Sequence, residues 1–397
     1  MGRPFRISAP QRSLYNLRYR LALVLFIFVL LEQHRFFFKY RTALAIKYSP
    51  TELPTATKQQ SWVFDGEGAH YQDYIVANRA AWRALGKGWE GKTFVYQDSV
   101  IKTFTPGRSP FRNCAPGTAD ERWPTEIPAS LYFGGSERNT TFSHDSFLPV
   151  RTFFMAPSST DRAEWHLVTP LLKGGDLEDL TAKERKRREI YRNIDAQYRP
   201  AFTGFLRSLQ VLHEAGYCHD DVKPGNVLVA DSAHWILADL GNIRHLTHPY
   251  HTSLLWQENR QLSDCRANDG IRALKSYLRF VRGAAVDANA FDAEFLEGRE
   301  PLSRLFWSAT ANATHLSVGE LREQSAIEHP HRNDYGESES GALLPITSHA
   351  WLSAISRRWG RSHAVTRALQ TRVGEKMARW WALTWIFGVP VTTVCGV

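Results

Sequence analysis

Apolar positions along the chain change period several times. Phe202, Phe205, Leu206, Leu209 and Leu212 follow one another at spacings of three and four. This predicts an amphipathic helix with one buried face, opened by Pro200 and stopped by Gly216. Ile271, Leu274, Leu278 and Val281 repeat the pattern and predict a second helix, which carries Asp269. Elsewhere the runs are short and β-favouring. Lys92–Tyr96 and Ser99–Phe104 predict two strands about a Gln97-Asp98 turn. Phe147–Met155 and Trp165–Leu172 predict two more, split by Pro157-Ser-Ser-Thr-Asp161. Val227–Val229 and Trp235–Ala238 predict a short hairpin.

The two ends read differently. Leu21–Leu31 (LALVLFIFVLL) is an unbroken apolar run of 11, with Arg18 and Arg20 before it and Glu32 and Arg35 after. A spanning helix needs about 20 mostly apolar residues, so the run alone is short. Residues 1–31 hold five arginines and no acid, and Phe36-Phe37-Phe38 adds an aromatic patch. Three readings stay open: a short signal-anchor, an interfacial or buried helix, and a cleaved targeting peptide with Ala43-Leu44-Ala45 as its cleavage site. At the other end, Trp380–Val397 runs 18 residues without a charge after Lys376 and Arg379. It reads either as a tail anchor with a basic flank, which three threonines, Gly388 and Pro390 count against, or as a packed terminal helix.

Composition narrows the class. The 397 residues are 43% hydrophobic and 22% charged, the balance of a globular protein. A formal net charge of +9 and a pI near 9.4 point to anionic partners: a nucleotide, an acidic protein or a lipid headgroup. The densest basic run, Lys183-Glu184-Arg185-Lys186-Arg187-Arg188, is expected to be a solvated face. No nucleic-acid-binding motif accompanies it, so no nucleic-acid partner is expected. The four cysteines, Cys114, Cys218, Cys265 and Cys395, show no CxxC spacing, which argues against zinc and against a disulfide scaffold. N-x-T sequons stand at Asn139 and Asn312.

Chemistry-bearing residues concentrate in the middle. Gly86, Gly88 and Gly91 fit G-x-G-x-x-G ahead of a strand pair, and Lys102 lies on the second strand. A glycine-rich hairpin followed by a lysine suits a flap over nucleotide phosphates. Glu126 is a candidate partner for Lys102, with Glu121 as its competitor. The densest stretch is Cys218-His-Asp-Asp-Val-Lys-Pro-Gly-Asn226, set between the predicted helix and the short hairpin, which ends in Asp239-Leu240-Gly241-Asn242. His245, His248 and His251 are spaced by three, which is compatible with a metal site on a helix, but Thr247 and Pro249 favour a loop.

His219-Asp220-Asp221-Val222-Lys223-Pro224-Gly225-Asn226 resembles the H-R-D-x-K-x-x-N catalytic loop of the protein kinase-like superfamily, and Asp239-Leu240-Gly241 resembles its D-F-G. The segment 209–229 and Gly174-Gly175-Asp176-Leu177 are similar to that family as well. The resemblance implies an α+β, two-lobed fold with a small β-rich lobe and a mainly helical one. It also implies ATP and Mg²⁺ as cofactors and a protein substrate, phosphorylated on Ser/Thr rather than Tyr. It assigns Asp221 as catalytic base and Lys223 as γ-phosphate contact, with Asn226 and Asp239 as metal ligands. Gly86, Gly88, Gly91, Lys102 and Glu126 would hold the phosphates, and the backbone from Thr169 through Leu171 to Leu172 would take the adenine edge. Asp269 would brace the loop.

The departures matter. Asp220 replaces an arginine that in the family pairs with a phosphorylated activation loop, Leu240 replaces phenylalanine, and no A-P-E follows. Three hypotheses follow: an active membrane-associated protein kinase, a nucleotide-binding pseudokinase scaffold, and a small-molecule kinase, against which Lys223 counts. The expected organisation is an N-terminal segment over 1–60 that is a candidate membrane anchor, a kinase-like domain over 80–310 and a C-terminal extension over 311–397.

Overall fold

The computed structural model describes residues 9–54, 66–87, 91–104, 114–116, 122–135, 146–157, 163–329, 360–371 and 374–390. Arg83–Lys87 (β1), Gly91–Tyr96 (β2) and Ser99–Phe104 (β3) form a meander, with Gln97 at φ 53° in the second turn. Cys114–Pro116 (β4) and Arg122–Pro124 (β5) pair apart from it. Thr152–Pro157 (β6) and Ala163–Pro170 (β7) complete an antiparallel sheet of five strands in the order β1-β2-β3-β7-β6. Side-chain alternation sends Ile101 and Val168 to one face, where they meet Ile75 of helix Gly66–Ala77, here α2. Phe104 and Leu167 go to the other face and meet Ile127 and Leu131 of Glu126–Gly134, here α3. Lys102 shares the parity of Phe104 and so points toward α3. Of the predicted strands, Phe147–Met155 is trimmed: β6 begins only at Thr152. Pro149 cannot supply a ladder N–H, and Phe147 makes a single bridge to Leu237 instead and packs on Phe133 at 5.2 Å.

A helical region follows: Leu177–Arg185 (α4), Tyr191–Glu214 (α5), Leu254–Glu258 (α6), Cys265–Ala284 (α7), Ala288–Glu297 (α8), Pro301–Ala311 (α9) and Val318–Ile327 (α10). Its core is the crossing of α5 and α7, where Phe202 stacks on Tyr277 at 4.4 Å and the predicted apolar faces are buried apart from the partly exposed Ile271. Helix α5 begins nine residues before Pro200, at Tyr191. Tyr191, Ile194, Asp195 and Tyr198 extend the buried face, and Asp195 there takes two hydrogen bonds from Arg199 and one from the Tyr277 hydroxyl. That packing outweighs the single N–H that Pro200 withholds. Gly216, at φ +89°, ends the helix in a left-handed turn that glycine adopts without strain. The basic run at 183–188 lies at the exposed end of α4, apart from buried Glu184.

Tyr217–Cys218 (β8) pairs with Arg244–His245 (β11), and Val227–Val229 (β9) with Trp235–Leu237 (β10). A disulfide joins Cys218 to Cys265, the first residue of α7, across 47 residues of sequence. Closing a loop of that length restricts the unfolded chain by about 4 kcal/mol. Replacing both cysteines by serine, or reducing the bond, is therefore expected to lower unfolding free energy by up to that amount. Chemical denaturation with and without reductant measures it.

Ala9–Lys47 (α1) is a single helix, longer than its 11-residue apolar run suggests. It is long and apolar enough to cross a membrane, and Leu21–Leu31 are exposed. Its C-terminal part is not exposed: Tyr40, Ala43, Leu44 and Tyr48 pack against Tyr250, Leu255 and Trp256. The C-terminal stretch breaks at Leu383 (φ 47°) into helices 376–381 and 384–387, and Ala378, Ala382 and Val389 join the same cluster. Over 376–390 the chain is not one continuous helix; Ala378, Ala382 and Val389 pack inward while Trp380, Trp385, Ile386 and Phe387 stay exposed.

Candidate active site

The loop between β8 and β9 is set by Asp269 on α7. Its carboxylate, fully buried, accepts the backbone N–H of His219 at 2.6 Å and of Asp220 at 3.0 Å, with His213 Nε2 at 3.2 Å. Arg272, one turn along the helix, donates to the Asp220 carbonyl at 2.5 Å. Asp220 is thereby held at φ +63°, a conformation disfavoured for most side chains but tolerated by aspartate. The disulfide ties the same two elements together. His213, Cys218 and Asp269 lie close enough to suggest a metal cluster, but the Cys218 sulfur is already bonded to Cys265.

Within that loop Lys223 Nζ donates to Asp221 Oδ2 at 2.5 Å, and Asn226 Nδ2 donates to the Asp221 carbonyl at 2.9 Å and to Oδ2 at 3.3 Å. Asp221 is 36% exposed, so an external hydroxyl can reach it. The β9–β10 hairpin then returns the chain to Asp239, at φ +59°. His219 Nε2 fixes this end of the hairpin, 3.0 Å from the Ala238 carbonyl oxygen. Lys102 crosses from the sheet to donate to Asp239 Oδ1 at 2.9 Å and also pairs with Glu126 at the first turn of α3. Sheet, α3 and hairpin thus converge on one ammonium group. Removal from water would raise the Asp239 carboxyl, but Lys102 and Lys223 outweigh it and hold the group down at about 2.

The donor set suits a hard cation such as Mg²⁺. Asn226 uses its amide N–H groups on Asp221, which leaves its carbonyl oxygen as the donor, and Asp239 remains ionised at neutral pH. Of the glycines, Gly86 has open space where a Cβ would be, whereas a Cβ on Gly91 would lie 1.5 Å from the Thr103 carbonyl oxygen. Gly91 therefore has a packing reason to be glycine, quite apart from any ligand. Gly88 and the competing Glu121 lie outside the described residues. Thr169 pairs with Val100 in the sheet, and the Leu171 N–H is committed to the Asp98 carbonyl at 2.8 Å. Among the described residues the next amide, that of Leu172, takes no backbone partner.

Two participants were not assigned to this site by sequence reasoning. Arg244 Nη1 donates to Asp220 Oδ2 at 2.9 Å, and Nη2 to the Lys47 carbonyl at the end of α1 at 3.1 Å. His251 Nε2 lies 3.0 Å from the same Asp220 oxygen. The histidine trio is thus divided among separate partners: His251 on Asp220, His248 on Ser49 and His245 on Thr247. The available signal was Asp220 itself, since a buried acid requires nearby cations. Burial would raise its carboxyl, but His251, Arg244 and Arg272 reverse that and hold it well below the usual carboxylate range.

A loop pairing an acid, a lysine and an amide, facing a hairpin acid bound to a sheet lysine, has the residue types that phosphoryl transfer uses. Residues 141–260 match the family described as Protein kinase domain. Serine/threonine-protein kinase 16 of Mus musculus is 29% identical over 108 residues, 27% of this chain and 34% of that protein. Its Homo sapiens counterpart is 25% identical over the same length, with the same coverage. Serine/threonine-protein kinase D of Synechocystis sp. is 25% identical over 167 residues, 41% of this chain and 29% of that protein. The chain spans about a third of the length of the curated relatives it matches. These matches support a place for the chain in the protein kinase-like superfamily.

Proposed function

We propose that this chain is a membrane-anchored, ATP- and Mg²⁺-dependent protein kinase of two-lobed form that phosphorylates Ser or Thr hydroxyls. The observation that carries the reading is the convergence of Lys102, Glu126 and Asp239 opposite Asp221, Lys223 and Asn226. Asp221 accepts the proton of the acceptor hydroxyl, and Lys223 beside it compensates charge at the transferring group. Lys102, oriented by Glu126, offers a cation to the α/β-phosphates under the Gly86–Gly91 hairpin. The backbone after Thr169 takes the adenine edge, with the Leu172 amide better suited than the committed Leu171 amide. Bound Mg-ATP supplies the transferable phosphoryl group, its metal held by Asn226 and Asp239. A transfer assay offering protein, peptide and small-metabolite acceptors tests this. Transfer to metabolites alone, or Mg-ATP binding without transfer to any acceptor, would sink it.

The catalytic region is assigned to the oxidising side of the membrane. Five arginines precede the end of the apolar run and none of the first 31 residues is acidic, which favours a cytosolic N-terminus. A disulfide in the catalytic region fits the opposite, oxidising compartment. The Asn312 sequon is exposed at the end of α9. Full-length protein from intact eukaryotic membranes is expected to lose mass on N-glycosidase treatment, and less so as Asn312→Gln. Protease digestion of the region after α1 in sealed, right-side-in vesicles would contradict the topology.

A further inference from the structure

Beside the catalytic loop the surface opens into a cleft of about 750 Å³. One wall is Lys223, Pro224 and Gly225, so the cleft begins two residues after Asp221. The opposite wall comes from the end of α7, with Arg279 and Arg282, and from residues 363–371, with Arg367. A second cleft of about 600 Å³ adjoins it across Arg367, Gln370 and Thr371, lined by Arg260, Arg272 and Lys275. Glu178 is the one carboxylate among the described residues lining either. The two clefts thus share a wall and place several basic side chains beside the catalytic loop.

Internal pairing leaves much of this charge uncompensated. Arg282 forks onto Asp292 at 2.6 and 2.9 Å. Arg279 has only the Thr371 hydroxyl at 3.4 Å, and the exposed Arg367 side chain makes no described hydrogen bond or ion pair. Lys275 reaches only the Gln370 carbonyl at 3.5 Å. Burial, and after it the Arg272 charge, lowers its pKa, and a bound anion would favour its charged form. The adjoining clefts offer several cations near the Asp221 loop, more than a single phosphate would engage and enough for the residues flanking an acceptor hydroxyl in an extended chain.

We propose that these adjoining basic clefts bind acidic residues flanking the acceptor hydroxyl, so that the protein substrates carry an acidic segment beside the phosphorylated residue. The substrate assignment rests on the kinase reading above; the binding assignment does not. Three labelled serine peptides test it with the full-length chain and Mg-ADP: one flanked by Asp and Glu, one by Asn and Gln, one by Lys and Arg. The acidic peptide is expected to bind at least tenfold more tightly than the neutral one, with the advantage shrinking as salt rises. Arg279→Glu combined with Arg367→Glu should abolish that advantage and favour the basic peptide, a gain that unfolding cannot mimic. In transfer assays the preference should lie in KM, with kcat on the neutral peptide unchanged. Equal binding of acidic and neutral peptides, or an acidic preference that survives the double substitution, overturns the proposal. Intact binding preference without transfer to any peptide would instead overturn the kinase reading and leave the cleft assignment standing.

Discussion

Asp221→Asn is expected to lower γ-phosphate transfer by about 10²–10⁴-fold, the usual contribution of a positioned general base, and to leave Mg-ATP affinity nearly unchanged. The amide keeps the size of the carboxylate, and Asn226 still donates to the Asp221 backbone carbonyl at 2.9 Å, so the loop keeps its shape. The groups proposed to hold the nucleotide, Lys102, Glu126 and Asp239, form their own contacts across the cleft. What disappears is the capacity to accept the acceptor proton, together with the ion pair to Lys223. Steady-state transfer beside nucleotide-binding calorimetry separates the two effects. Equal activity of wild type and variant would remove Asp221 from the chemistry, and equal inactivity with intact binding would make the chain a scaffold.

The parts of this site that were legible in the sequence are the ones whose geometry is local. Asp221, Lys223 and Asn226 lie within one short loop, and their mutual contacts follow from spacing and from a proline that excludes a regular α-helix there. The buried faces of α5 and α7 were equally legible, because a 3.6-residue period announces itself within a few turns. Asp269 could be assigned to the loop because its helix follows directly. The choice between Glu121 and Glu126 could not be made from spacing. It depends on α3 lying against the face of β3 that carries Lys102.

What sequence reasoning missed is non-local or contrary to local preference. The Cys218–Cys265 bond spans 47 residues, and four cysteines without a spacing motif carry no pairing information. The start of α5 was hidden because Asp195, Arg199 and Pro200 look unsuited to a helix interior. The first two form a buried ion pair there, and packing carries the helix past the third. The histidines at 245–251 suggested a metal by spacing, but His251 serves a carboxylate contributed from a different loop.

That carboxylate sets the second large effect: Asp220→Ala is expected to destabilise the chain by about 3–5 kcal/mol. Arg244 and Asp220 are 1% and 2% exposed, and removing one partner of a buried ion pair leaves the other charge uncompensated. Total stability of such domains is of order 5–15 kcal/mol, so the loss would be visible in any unfolding transition. Replacing Arg244 by methionine in the same chain should recover part of the loss, because the orphaned charge disappears with it. A double variant no better than Asp220→Ala would show that the guanidinium is not what Asp220 serves. The pH dependence has a definite sign. Asp220 is held below its ordinary value near 3.9 by His251, Arg244 and Arg272. Its contribution is therefore complete above pH about 4 and is lost as pH falls toward the folded-state value. Asp220→Asn should be less stable than wild type at neutral pH and lose less on acidification. The placement also inverts the family's arrangement, in which a loop arginine waits for phosphate on the activation segment. Here the loop supplies the anion, and the following segment supplies Arg244 and His251 with the Lys47 carbonyl of α1 behind them. An activation segment fastened this way requires no phosphate to hold it. Phosphatase treatment of the purified chain is therefore expected to leave the Asp220-dependent stability unchanged.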